Sequence, residues 1–222
     1  MNLAALIAMA RERLDDEIEP YLVGDASLAG WATEGEREAC LRARLLFDDE
    51  PGEVTTVPLA LGQGVYRLDP RALFVVSANI LWSGETRLHA LELKGLDWIR
   101  DQSRRVSSFG MPEVLADDGR ARVHVWPRPV RPGRLQLALY RAPMRALLDP
   151  ADEPEIAPEY HDGLIDWMLY RAFQIKDREI EDVSRAALAL RDFTLRFGER
   201  PTADVLRRHR ERRRTTTRYG GY

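Results

Sequence analysis

The densest group of chemically capable side chains lies in EYHDGLIDW, where Glu159, His161, Asp162 and Asp166 fall close together. A histidine flanked by carboxylates has the composition of a general acid/base pair. A plainer account is that Glu159 and Asp162 stand at a helix start, where acidic groups complement the dipole. His161 is then an ordinary helix-start residue near the surface. The four histidines (His89, His124, His161, His209) are far apart, and none forms the HxxxH or HExxH spacing of a helical zinc site. Cys40 is the single cysteine, so neither a disulfide framework nor a cysteine zinc site is expected. Placed mid-helix among apolar neighbours, it reads as a small core residue in a reducing compartment rather than an activated thiol. Gly62 and Gly64 in LGQGVY are followed by neither GxGxxG nor a P-loop lysine, and read as a loop between strands. No GxSxG elbow occurs. The sequence holds no credible active site, and no cofactor or metal is expected.

The other group with binding chemistry is the C-terminal run RRHRERRRTTTRYGGY. Seven arginines (Arg207, Arg208, Arg210, Arg212, Arg213, Arg214, Arg218) stand against Asp204 and Glu211 after residue 202, a net of +5. The whole chain carries −3, which leaves −8 for the rest. Arginine binds phosphate with counterion release, or forms forked pairs with carboxylates of a protein; a basic run alone does not choose, and such runs are often merely solvated. An acidic body argues against a DNA-binding surface, which needs a basic face on the folded part too. Five tryptophans (Trp31, Trp82, Trp98, Trp126, Trp167) read as core anchors, with interface anchoring as their other use.

These groups need elements to hold them. With 222 residues, 45% hydrophobic and 31% charged, the chain can bury a substantial core. MNLAALIAMARERLDDEIEP lacks the basic start of a signal peptide, and its charges come too soon for a membrane span. It reads as an amphipathic first helix of a soluble protein made in the cytosol. Thr33 and Glu36 have capping-box spacing. A helix from there would place Ala39, Ala43 and Leu46 on one face, put Arg37, Arg42 and Arg44 on the wetter side, and stop at Pro51-Gly52.

The middle is β-prone. Asp118-Gly119 predicts a type I′ hairpin with both central residues at positive φ. Ala121, Val123 and Val125 alternate with Arg120, Arg122 and His124, and Leu135, Leu137 and Leu139 alternate beyond the proline-rich turn at 127–133. GLDWIRDQS predicts one short helix between sheet halves. Helix returns with Leu164, Trp167, Met168, Ala172 and Ile175. A seam then follows at Ile180, Val183, Ala187, Leu190, Thr194 and Phe197, with a break near Lys176–Glu179. Gly198 suits the position after a helix, Pro201 prevents continuation, and Thr202 can cap a last short helix. The expected fold is α+β: a helical bundle (residues 1–52 and 144–200) with an inserted antiparallel β region (53–143) and a short helix with an extended basic tail (201–222).

Several stretches together resemble tailed-bacteriophage head-to-tail adaptor proteins, also called head–tail connector or head-completion proteins. EGEREACLRARLLFD resembles the arginine-studded helix near their start. IAPEYHDGLIDWMLYRAFQIKDREIED resembles the later signature, in which a proline-led segment and Tyr-His open a helix bearing Tyr-Arg-Ala, then Lys-Asp. FTLRFGERPTADVLRRHRERR is similar to the Phe, Phe-Gly, Arg-Pro ending, and GQGVYRLDPRALFV and VWPRPVRPGRLQLALYRAP fit in the same order. The resemblance runs from about Ser27 to Arg214, and its motifs are structural.

The resemblance implies a ring, expected twelvefold, beneath the portal protein at the neck of the virion. Each subunit would touch neighbouring adaptor subunits, the portal above and a stopper or tail component below. The ring would surround the double-stranded DNA passage, with no membrane involved. In such adaptors the C-terminal segment extends onto the portal. The basic arginines, with Tyr219 and Tyr222 as anchors, are then a portal-docking tail. The alternatives are a DNA-binding protein with a basic C-terminal arm and, with least support, an enzyme using Glu159, His161 and Asp162.

Overall fold

Asn2 starts the first helix, α1 (Leu3–Leu14), by accepting the amide of Ala5 at 3.0 Å, and Asp15 ends it in the left-handed conformation. The computed structural model describes residues 1–103, 109–119, 121–176, 181–202 and 205. The chain divides into two compact units, one of Met1–Phe47 with Tyr140–Arg200 and one built on Asp48–Leu139. Helix and strand are both well represented, so the fold class is α+β.

In the first unit, α1 buries Leu3, Leu6 and Ala10 at helical spacing. The second helix, α2 (Asp25–Ala43), begins at Gly24, well before Thr33, so the expected capping box is corrected. Thr33 lies mid-helix: its hydroxyl donates to the Ala29 carbonyl at 3.1 Å and accepts from the Leu147 amide at 3.0 Å. Glu36 points away from the helix start, to the amides of Glu155 and Ile156. Both side chains serve partners distant in sequence, and so mimic a cap they do not form. The helix also stops early, at left-handed Arg44, because strand β1 (Leu46–Asp48) follows; Pro51-Gly52 lies beyond it. Ala43 is exposed, and Arg42, expected on the wetter side, has a buried side chain.

A short 3-10 turn (Pro158–Tyr160) leads into α4 (His161–Ala172), which packs against α1, α2 and the last long helix, α5 (Val183–Phe197). Leu164, Trp167, Met168 and Ala172 are buried as expected, while Ile175 falls past the helix end. α5 begins at Asp182, whose carboxylate accepts the amides of Ser184 and Arg185 at 2.9 Å each. Its buried seam is Ala186, Ala189, Phe193 and Phe197, not the expected one: Val183 is 75% exposed and Ala187 is also outside. The 3-4 seam of the sequence is displaced by one position because Phe193 and Phe197 fix the rotation of the helix against α4. Phe197 belongs to both seams, and Ile180 lies outside the described residues.

Two glycines allow this packing. A Cβ on Gly35 would stand 3.0 Å from the Trp167 side chain, and one on Gly163 would stand 2.5 Å from the Phe197 ring. Ala39, Trp167, Phe193 and Phe197 form one apolar cluster there.

The second unit is a mixed sheet. Its strands are β2 (Thr56–Leu59), β3 (Val65–Arg67), β4 (Ala72–Trp82), β5 (Leu88–Leu93), β7 (Val114–Asp117), β8 (Arg122–Trp126) and β10 (Gly133–Arg141). The order is β1-β10-β4-β5-β7-β8-β3, with β2 also on β10; β6 (Phe109–Gly110) and β9 (Arg128–Pro129) pair separately. The expected antiparallel region is corrected in two places, since β5 with β7 and β6 with β9 are parallel. The expected short helix, α3 (Leu96–Ser103), explains the first: it lies in a crossover that returns the chain beside β5 in the same direction. Its Ile99 packs with Val114 and Ala116, and Trp98 meets Trp126 edge-on at 5.6 Å.

The hairpin at Asp118-Gly119 forms, pairing Asp117 with Val123, but not through a two-residue type I′ turn. The positive φ angles fall on Gly119 (77°) and Ala121 (54°), not on Asp118, so Ala121 is exposed in the turn and not on the strand's buried face as expected; Arg120 lies outside the described residues. The Asp117 carboxylate accepts the Gly119 amide at 2.7 Å, which folds the chain early and lengthens the loop. On β10, Leu135, Leu137 and Leu139 are buried in alternation, as expected.

Gly163→Ala should lower stability. Overpacking against Phe197 costs about 1–3 kcal/mol, against roughly 1 kcal/mol of helix propensity gained. Urea unfolding should show a lower midpoint; an unchanged or higher midpoint would mean the ring shifts freely.

Candidate functional site

The EYHDGLIDW carboxylates and histidine do not converge on a catalytic group. Glu159 and Asp162 are exposed at the start of α4, as the helix-dipole account expects. His161, expected near the surface, is instead buried at 2% exposure. Its Nε2 donates to the Ile156 carbonyl at 2.9 Å, and Nδ1 has no partner among the described residues. The preceding Ile156, whose carbonyl accepts that bond, is itself buried at 2% exposure. Asp166 lies just over one turn further along α4, where burial raises its carboxyl above the usual range, partly offset by Arg13 at 3.3 Å and Arg196 at 3.9 Å. Among the described residues no cluster of histidine, cysteine or acidic groups could hold a metal ion. Cys40 is buried, and burial pushes its thiol up to about 12.

The same Ile156 segment is held from the other side by Glu36. This carboxylate, 1% exposed, accepts the amide of Glu155 at 2.6 Å and that of Ile156 at 3.3 Å. Burial raises its carboxyl to about 7, against the opposing pull of the two amides. Glu155 adds to the rise and Arg141, paired with Glu155 at 2.6 Å, opposes it.

Two residues further along α2, Glu38 forms an i,i+4 pair with Arg42 at 2.8 Å, their side chains 10% and 7% exposed. The Arg42 guanidinium also donates to the Thr194 hydroxyl at 3.1 Å and to the Gly198 carbonyl at 3.2 Å. It lies over Phe193, 5.0 Å from the ring centre, and 5.7 Å from that of Trp167. Glu38 also faces Arg200 at 3.6 Å. These contacts gather the end of α5 and the residues just before the basic segment. Gly198 has φ of 83°, the left-handed region that its position after the helix requires, and its amide donates to the Thr194 carbonyl at 2.8 Å. After Pro201, the Thr202 hydroxyl accepts the amide of Val205 at 3.3 Å, as a capping residue does.

The sequence-predicted docking residues, Arg207, Arg208, Arg210, Arg212, Arg213, Arg214, Arg218, Tyr219 and Tyr222, lie outside the described residues. The structure thus describes their point of departure. A family model described as SU10 adaptor protein matches residues 1–219. The chain belongs to the SU10 adaptor protein family. This is a family of phage head-to-tail adaptors, which are structural proteins of the head–tail junction and not enzymes. The match extends the resemblance seen in the sequence from Met1 to Tyr219, arginine run included. No curated protein matches the adaptor. Among the described residues no helix is long and apolar enough to cross a membrane.

Sequence reasoning missed the polar groups that hold the adaptor's segments together. The Glu38–Arg42 spacing was open to recognition as a helical ion pair. Nothing local in sequence joins Arg42 to Gly198 or Glu36 to Ile156. Of the tryptophans, Trp82 and Trp167 are core anchors, while Trp31, Trp98 and Trp126 are half-buried.

Glu36 makes the adaptor's stability depend on pH. A carboxyl raised to about 7 binds its proton more tightly in the folded state. Its contribution is fully present below the ordinary carboxylate range and is lost as pH rises through 7, on the order of 3 kcal/mol in all. Urea midpoints between pH 5 and pH 8 should fall in the parent protein and fall less in Glu36→Gln. Equal slopes in the two proteins would contradict the assignment.

Proposed function

We propose that the adaptor assembles as a ring, twelvefold like the portal, between the portal protein and a stopper or tail component, and surrounds the DNA passage. The arginine-rich C-terminal arm docks on the portal. The observation that carries this reading is the family match, which continues through the arm to residue 219. The charge division supports it: an arm at +5 on a body at −8 favours a carboxylate-bearing protein surface over DNA for the arm. An acidic body also discourages adhesion to DNA in transit.

In this reading the helices of the first unit work as a bundle, the β region is an insertion, and the last segment is a separate docking element. Ring contacts are heterologous, one face of each subunit meeting the opposite face of the next. The mixed Arg, Asp and Glu surface supplies the opposed charge that sets register.

The test is binding of the full-length adaptor to its cognate portal, with the seven arginines from Arg207 to Arg218 replaced by glutamine. Portal affinity should fall by about a hundredfold or more, the loss of several charge-assisted pairs. Unchanged portal affinity, together with a steep salt-dependent loss of duplex DNA binding in the same variant, would favour the DNA-binding arm instead.

A further inference from the structure

We infer that Arg42 is a positioning residue for the C-terminal arm: it latches the end of α5 to α2 and fixes the point and direction from which the arm leaves. The inference rests on the portal-docking reading above. Its basis is the way one buried guanidinium is used. Arg42 binds Glu38 on its own helix, and the same fork reaches the Thr194 side chain in the last turn of α5 and the Gly198 carbonyl just past it.

The carbonyl of Gly198 belongs to the last turn's outgoing chain, so its orientation sets the path of residues 199 and 200. Thr194 is fixed as well, because its hydroxyl donates to the Leu190 carbonyl at 2.8 Å while accepting from Arg42. Arg200 closes the arrangement by facing Glu38, the anion that Arg42 also uses. Phe193 and Trp167 flank the guanidinium at 5.0 and 5.7 Å from their ring centres, on the buried side of the arrangement, while the bond to the Gly198 carbonyl lies at the surface.

A lysine could not do the same work. Its single ammonium on a flexible stem cannot keep a planar spread of donors on three acceptors from two helices and a loop. The helix packing does not need the latch, since Trp167, Phe193, Phe197 and Ala39 form their own apolar cluster. The guanidinium therefore constrains the exit of the chain more than the cohesion of the helices. An arm that leaves in a fixed direction loses less freedom when it docks, and so binds more tightly.

The experiment is a double-mutant cycle on full-length adaptor with cognate portal, using Arg42→Lys and the seven-glutamine arm variant. Arg42→Lys should weaken portal binding about tenfold where the arm is intact and leave it unchanged where the arm is neutralised. A purely structural role would weaken both backgrounds alike, and that result would overturn the inference. So would parent-like affinity of Arg42→Lys while arm neutralisation still weakens binding, a result that leaves the docking reading intact. If arm neutralisation itself has no effect, both fall together. Thr194→Val, which removes only the hydroxyl, serves if Arg42→Lys melts early, and should weaken portal binding in the same arm-dependent way.

Discussion

The Trp167 indole is the contact on which the first unit depends. Three helices meet there: α4 supplies the ring, α2 brings Gly35 against it and Ala39 beside it, and α5 lays Phe193 over it at 4.9 Å between ring centres. Glycine at position 35 leaves room for the indole to approach the α2 backbone, and Gly163 leaves room for Phe197. Close approach of this kind fixes both rotation and spacing of the helices, since dense packing tolerates little displacement. The polar contacts follow from it. Once α2 and α5 are set on the indole, Arg42 falls within reach of Thr194 and Gly198.

The same arrangement explains why a group that looked catalytic is structural. His161 and Glu36 are both buried, and both hold the Ile156 segment, one through its carbonyl and one through its amide. Buried polar groups of this type satisfy a loop's backbone where regular secondary structure cannot. Their chemistry is spent on the fold. The binding proposed for the adaptor is assigned instead to the charged segment after α5, in keeping with a family of structural head-to-tail adaptors.

Much of the fold was legible because it is local. Alternation marked Leu135, Leu137 and Leu139, turn residues marked the hairpin after Asp117, and GLDWIRDQS marked α3. What failed was what depends on distant partners. Thr33 and Glu36 have the spacing of a cap, yet each answers a residue over a hundred positions away. The expected seam of α5 took in Val183, because an exposed valine carries the same apolar signal as the inner residues. The parallel pairing of β5 and β7 has no local signature beyond the helix that makes it possible. The arm was legible as charge, and its departure as Gly198, Pro201 and Thr202. The latch at its root was not.

The central claim is that the arm grips the portal and not the genome. Electron cryomicroscopy of the adaptor bound to its cognate portal tests it most directly. The account predicts density for Arg207–Tyr222 along the portal surface, with arginine side chains opposite portal carboxylates and the chain leaving Gly198 as held by Arg42. Density for the arginines directed into the DNA passage, with the portal contacted only by the adaptor's folded units, would contradict it.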